Sequence, residues 1–105
     1  MTKWEYLRLS SSFSSSAIAG KSFLAITPAS KVDLRWLSQS HPTARQEPPK
    51  ASDEVLKVYP KADDWFKVYW SLLDALGSEG WEPFSVGQDT GIRITTMHFK
   101  RARPE

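Results

Sequence analysis

The sequence predicts an α+β fold: an antiparallel sheet of about four or five strands, covered on one face by one main helix. Three observations carry that expectation. A 16-residue stretch from Asp64 to Glu79 has helical apolar periodicity. Several short runs elsewhere are rich in β-branched and aromatic residues. Turn-forming residues separate the last two of these runs, as in a hairpin.

The elements follow in order. Lys3–Leu9, KWEYLRL, interleaves Trp4, Tyr6 and Leu7 with charges and suits a first strand. The serine run Ser10–Ser16 reads as a solvated loop. Lys21–Thr27, KSFLAIT, is an apolar run stopped by Pro28 and suits a second strand. Val32–Leu37 alternates Val32, Leu34 and Trp36 with Asp33 and Arg35, which predicts a third. Ser38–Asp53 is polar, contains three prolines and shows no periodicity, so a long surface excursion is expected there. Glu54–Pro60 fits a short helix and a strand equally well.

In the helix, Trp65, Val68, Tyr69, Leu72, Leu73 and Leu76 share one arc, with Lys67, Ser71, Asp74 and Ser78 opposite. Asp63 and Asp64 suit its start, where a carboxylate complements the helix dipole. Phe66, Trp70 and Gly77 lie on the shoulder of the apolar arc, which makes Trp70 a candidate contact with the excursion or with another subunit. Gly80 is expected to end the helix in the left-handed conformation, with Trp81 folding back on the last turn. Gly77 leaves room for close approach by a neighbouring strand or ring. Trp81–Gly87 then predicts a strand with Glu82, Phe84 and Val86 on one side. Gln88–Gly91 predicts a turn, and Ile92–Ala102 a long last strand followed by a basic tail.

Three pieces stand in this order: Lys3-Trp4-Glu5-Tyr6 in the first strand, Leu73 and Leu76-Gly77-Ser78-Glu79-Gly80-Trp81-Glu82 after the helix, and Phe99-Lys100-Arg101 in the last strand. Together they resemble a small bacterial and phage domain family of unknown function. Its members carry Lys-Trp-Glu-Tyr, Leu-Asn-x-Leu-Gly-x-Glu-Gly-Trp-Glu and Phe-x-Lys-Arg segments. Asp74 departs from the family's asparagine, and Pro83 stands where an aliphatic residue is expected. The larger departure is an insert of about residues 10–62 between the first strand and the helix. The resemblance implies a compact sheet with one covering helix and no particular activity.

Composition bounds the function. The 105 residues suit a single domain, and 40% hydrophobic with 25% charged residues is ordinary globular usage. Five Trp, five Phe and three Tyr make the apolar content notably aromatic. Fourteen basic against twelve acidic residues give a formal charge of +2, too small to imply a nucleic-acid partner alone. The absence of cysteine excludes disulfides and thiolate metal sites. No run approaches a membrane span, and the charged N-terminal stretch is unlike a secretory signal; a cytoplasmic location is expected.

Chemistry is sparse. The glycines Gly77 and Gly80 follow a helix, whereas phosphate-cradling glycines precede one, so they read as structural together with Trp81. His41 and His98 have no metal-spaced partners, and the serines lie in no nucleophile motif; no enzyme activity, metal or cofactor is expected. The reading that remains is a non-catalytic binding or assembly module, a homo-oligomer or the partner of another protein. One alternative is capture of a small, anionic, nucleotide-like ligand at a ring-and-guanidinium site drawn from Arg35, Trp36 and Trp70. A second is single-stranded nucleic-acid binding through Arg93, Lys100, Arg101 and the tail.

Overall fold

The computed structural model describes residues 3–13, 22–50, 54–89 and 94–103. Their strands form one antiparallel sheet of six, with the order β3-β4-β2-β1-β6-β5. In chain order these are β1 (Trp4–Ser12), β2 (Phe23–Thr27), β3 (Arg45–Glu47), β4 (Leu56–Tyr59), β5 (Glu82–Asp89) and β6 (Ile94–Ala102). Two helices accompany them, α1 (Leu37–Ser40) and α2 (Trp65–Ser78), with 3-10 turns at Ala29–Lys31 and Ala62–Asp64. The α+β class and the single main helix agree with expectation, while the sheet has six strands where four or five were expected. Among the described residues no helix is long and apolar enough to cross a membrane.

The two nine-residue strands, β1 and β6, are both interior and pair over eight positions, from Trp4 with Ala102 to Ser11 with Thr95. Strand alternation sorts their side chains. Leu7, Leu9 and Ser11 of β1, Leu24 and Ile26 of β2, Val58 of β4 and Phe99 of β6 are buried on one face. Against that face α2 lays Trp65, Val68, Leu72 and Leu76, spaced at helical intervals.

Four expectations change. Ser10, Ser11 and Ser12 belong to β1, because β2 pairs with all three and β6 with Ser10 and Ser11. Ser11 is buried and its hydroxyl lies 3.5 Å from the Thr95 carbonyl. Ser14–Ser16 lie outside the described residues. Val32–Leu37 is not a strand. The Asp33 carboxylate accepts bonds from the Arg35 backbone N–H and guanidinium, which turns the chain. Leu34 and Leu37 then enter the core three residues apart, a helical spacing read from sequence as alternation.

The excursion after Ser38 is not wholly irregular, since α1 and β3 occupy part of it, and β4 resolves the open choice at Glu54–Pro60 in favour of a strand. It meets α2 through His41 Nε2 to the Ser71 hydroxyl (3.1 Å) and through the Thr43 hydroxyl, which donates to Asp64 (3.2 Å). Finally, β5 and β6 shift register between Pro83 and Ser85. That bulge moves Val86 to the helix-covered face, opposite Met97, while Phe84 keeps the helix-free side of Glu82, where its ring meets Tyr6 and His98. The common side expected for Glu82, Phe84 and Val86 is therefore split. Of the expected turn, Gln88 and Asp89 are in β5, and Thr90 and Gly91 lie outside the described residues.

Helix α2 ends as its sequence predicts. Gly80 has φ +89°, its N–H bonds the Gly77 carbonyl and the Trp81 N–H bonds that of Leu76, the paired bonds of a Schellman stop. Trp81 is 3% exposed. Gly77 does not serve close approach, because nothing lies within 4 Å of where a Cβ would stand. Gly80→Ala is therefore expected to cost about 1 kcal/mol through left-handed strain, and Gly77→Ala to be neutral or stabilising. Thermal melts of the two variants check the contrast.

Candidate functional site: the helix-free face of the sheet

Alternation that buries Leu7, Leu9 and Phe99 also sends Trp4, Tyr6 and Arg8 of β1, and His98 and Lys100 of β6, to the face that α2 does not cover. Phe84 joins them from β5. Trp4, Tyr6 and Phe84 are 42, 57 and 50% exposed, a large aromatic display for a small protein. Their rings are close: Tyr6 and Phe84 centroids lie 6.0 Å apart edge-on, and Phe84 and the His98 ring 6.2 Å apart. The Lys100 ammonium lies 4.7 Å from the Trp4 ring centre and 5.9 Å from that of Phe84. Beside this cluster is a shallow depression of 310 Å³, lined by Tyr6, Leu7, Arg8, Thr27 and His98.

The same alternation continues across the sheet. Lys57 pairs with Ala25, and Arg45 with Tyr59, on the helix-free face, while Val58 faces the core. Arg45 stacks on Tyr59, 4.5 Å from the ring centre, and the Tyr59 hydroxyl donates to Glu47 (3.4 Å). Glu47, Glu82 and, by its pairing with Ile94, Asp89 are the acids at described strand positions of this face. The ion pairs among the described residues are Arg35–Asp33 and Arg101–Glu5; Lys100, Arg8, Lys57 and Arg45 are in neither, although Glu82 stands across from Lys100 and Glu47 across from Lys57.

Of the residues singled out from sequence, Lys100 stands in this site. Arg101, its neighbour, points to the opposite face and is structural. Its guanidinium donates to Glu5 at 2.6 Å and to the Glu79 carbonyl at 3.2 Å, and lies 4.3 Å from the Trp81 ring centre. The three separated segments that carry the family resemblance thus meet at one corner. Hydrogen bonding to Arg101 holds the Glu5 carboxyl below its ordinary range. A carboxylate so depressed contributes stability at neutral pH that disappears as the pH falls through and below the ordinary glutamate range. The acid-side fall in melting temperature is accordingly expected to be shallower in Glu5→Gln than in the parent, which a pH series of melts would check.

Arg35 is exposed and held by Asp33, whose pKa its bonds lower to about 2, while Trp36 packs against the core, so the two build no pocket. Trp70 is 59% exposed on α2, on the far side of the sheet from the aromatic cluster, and its ring meets that of Tyr69 edge-on. Arg93 lies outside the described residues. Sequence reasoning missed Tyr6, Arg8, Phe84 and the Arg45–Tyr59 pair. The alternation of Trp4, Tyr6 and Arg8 was a usable signal, as was the common side of Glu82 and Phe84. Among the described residues no three His, Asp or Glu side chains gather as metal ligands.

No family model matches the chain, and no curated protein matches it. Among solved structures it is similar to a crystal structure of a conserved kinetoplastid-specific protein from Trypanosoma cruzi. The alignment covers 94% of this chain and 95% of that one at 16% identity, with a TM-score of 0.55. The likeness is one of fold.

Proposed function

We propose that this protein is a non-catalytic binding module whose helix-free sheet face takes a planar, anionic ligand. The observation that carries the reading is the cluster of Trp4, Tyr6, Phe84 and His98 with Lys100 and Arg8 on the face that α2 does not cover. Exposed rings offer stacking surfaces for a flat ring system, and cations beside them suit a phosphate or carboxylate. Charge argues against this face closing on a copy of itself, because a two-fold contact would bury Arg8 and Lys100 against like charges.

Titration with nucleoside monophosphates, followed by NMR, tests this. Signals of Tyr6, Arg8 and His98 are expected to move while those of α2 stay, with the nucleotide recovered unchanged. Absence of shifts, or shifts confined to other elements, would sink the reading.

A second reading, assembly into a symmetric dimer, rests on a different surface. Phe66 and Trp70 are 54 and 59% exposed on α2, and Phe13 stacks on Phe66 at 5.1 Å. Lys67, Trp70 and Asp74 form one stripe at i, i+3 and i+7. Two copies of α2 packed antiparallel about Trp70 would set Lys67 of each beside Asp74 of the other. Lys67→Glu is expected to shift the protein toward monomer, and adding Asp74→Lys to restore the dimer. Sedimentation at micromolar concentrations reads the outcome, and a monomer throughout would rule this assembly out.

A further inference from the structure

The cations of the helix-free face lie on a diagonal. Lys100 on β6 pairs with Tyr6, and Arg8 is two residues farther along β1. Lys57 on β4 lies level with Ser10, through the pairs Ser10–Ala25 and Ala25–Lys57. Arg45 on β3 lies two positions beyond Lys57, beside Tyr59. Each step from β6 toward β3 thus advances in the same direction along β1. With strands about 4.8 Å apart and about 3.4 Å per residue, the line from Lys100 to Arg45 spans roughly 28 Å. A mononucleotide would occupy one end of it.

Rings accompany the charges at both ends. Trp4, Tyr6 and Phe84 surround Lys100, and Tyr59 lies under the Arg45 guanidinium. The 310 Å³ depression lies between, at Arg8 and Thr27. A flexible polyanion with one flat base per phosphate fits this arrangement. A duplex does not, because its bases are already stacked on one another and its shape is rigid.

We infer that the helix-free face binds single-stranded nucleic acid laid diagonally from the Trp4–Phe84 end to Arg45. This rests on the proposed ligand site and assigns its ligand class. The track suits a segment of about four or more nucleotides, the low end of site sizes for sheet-based single-strand binders. Affinity comes from stacking on the rings and from phosphate contacts with Lys100, Arg8, Lys57 and Arg45.

Oligothymidylates of two to ten nucleotides, thymidine monophosphate and a ten-base-pair duplex, titrated against the full chain, provide the test. Affinity is expected to rise at least tenfold from two to six nucleotides and then level off. Four phosphate contacts imply a slope of about −3 in log affinity against log salt. Arg45→Ala, an exposed position at the far end, should weaken the six-nucleotide strand several-fold, make the salt slope shallower by about 0.7 and leave the monophosphate unaffected. If the monophosphate binds the Tyr6 end but longer strands gain nothing, the diagonal path is wrong while the ligand site stands. If neither monophosphate nor strand binds, both fail. A duplex that binds as tightly as the strand would overturn the single-strand assignment, as would Arg45→Ala weakening the monophosphate equally.

Discussion

Leu72→Ala is expected to destabilise the protein by about 2–5 kcal/mol, the range for large-to-small changes at fully buried sites. Leu72 is 0% exposed at the middle of α2 and belongs to the same core cluster as Leu7 and Leu9 of β1 and Phe99 of β6. A domain of about 100 residues shifts its melting temperature by roughly 4–8 °C per kcal/mol, so the expected fall is on the order of 10–30 °C. The neighbouring outer position gives the contrast: Asp74 is exposed, and Asp74→Ala should stay within about 0.5 kcal/mol of the parent. Comparable losses at the two sites would mean that α2 does not lie on the sheet by the Val68–Leu72–Leu76 face.

The other large effect concerns binding. Removing both exposed rings in Tyr6→Ala/Phe84→Ala should cost about 1–3 kcal/mol per ring in affinity for a six-nucleotide strand, a combined loss of roughly 30-fold or more. Stability should change far less than in Leu72→Ala, because the rings are 57 and 50% exposed and contribute little to the core. The measurement pairs a binding isotherm with a thermal melt of the same sample. Unchanged affinity in a folded double variant would show that the rings do not form the ligand surface.

These two variants separate features that looked alike in the sequence. Trp4, Tyr6 and Leu7 read as one strand-forming group, yet Leu7 is 2% exposed and the rings stand at 42 and 57%. Lys100 and Arg101 read as one basic pair, yet one faces the aromatic cluster and the other bonds Glu5 and the end of α2. Period two makes adjacent strand residues diverge, and that much was legible beforehand. Which of the two faces is covered depends on where α2 packs, which no window of the strand itself records. The reading of Arg35 with Trp36 failed for a related reason. Adjacent in sequence, they are directed apart when Asp33 binds the arginine and the core takes the tryptophan.

Helix α2, its buried stripe and its stop at Gly80 were determined by the sequence alone, because i, i+3, i+4 spacing and a left-handed glycine act within a few residues. The strand character of β1, β2, β5 and β6 was visible for the same local reason. Tertiary structure decided the rest. Pairing with β2 and β6 drew Ser10–Ser12 into β1, the bulge parted Val86 from Phe84, and strand order aligned Lys100, Arg8, Lys57 and Arg45. Each of those outcomes depends on contacts between residues far apart in the chain. A binding face made of one or two residues from each strand exists only once the strands are in register.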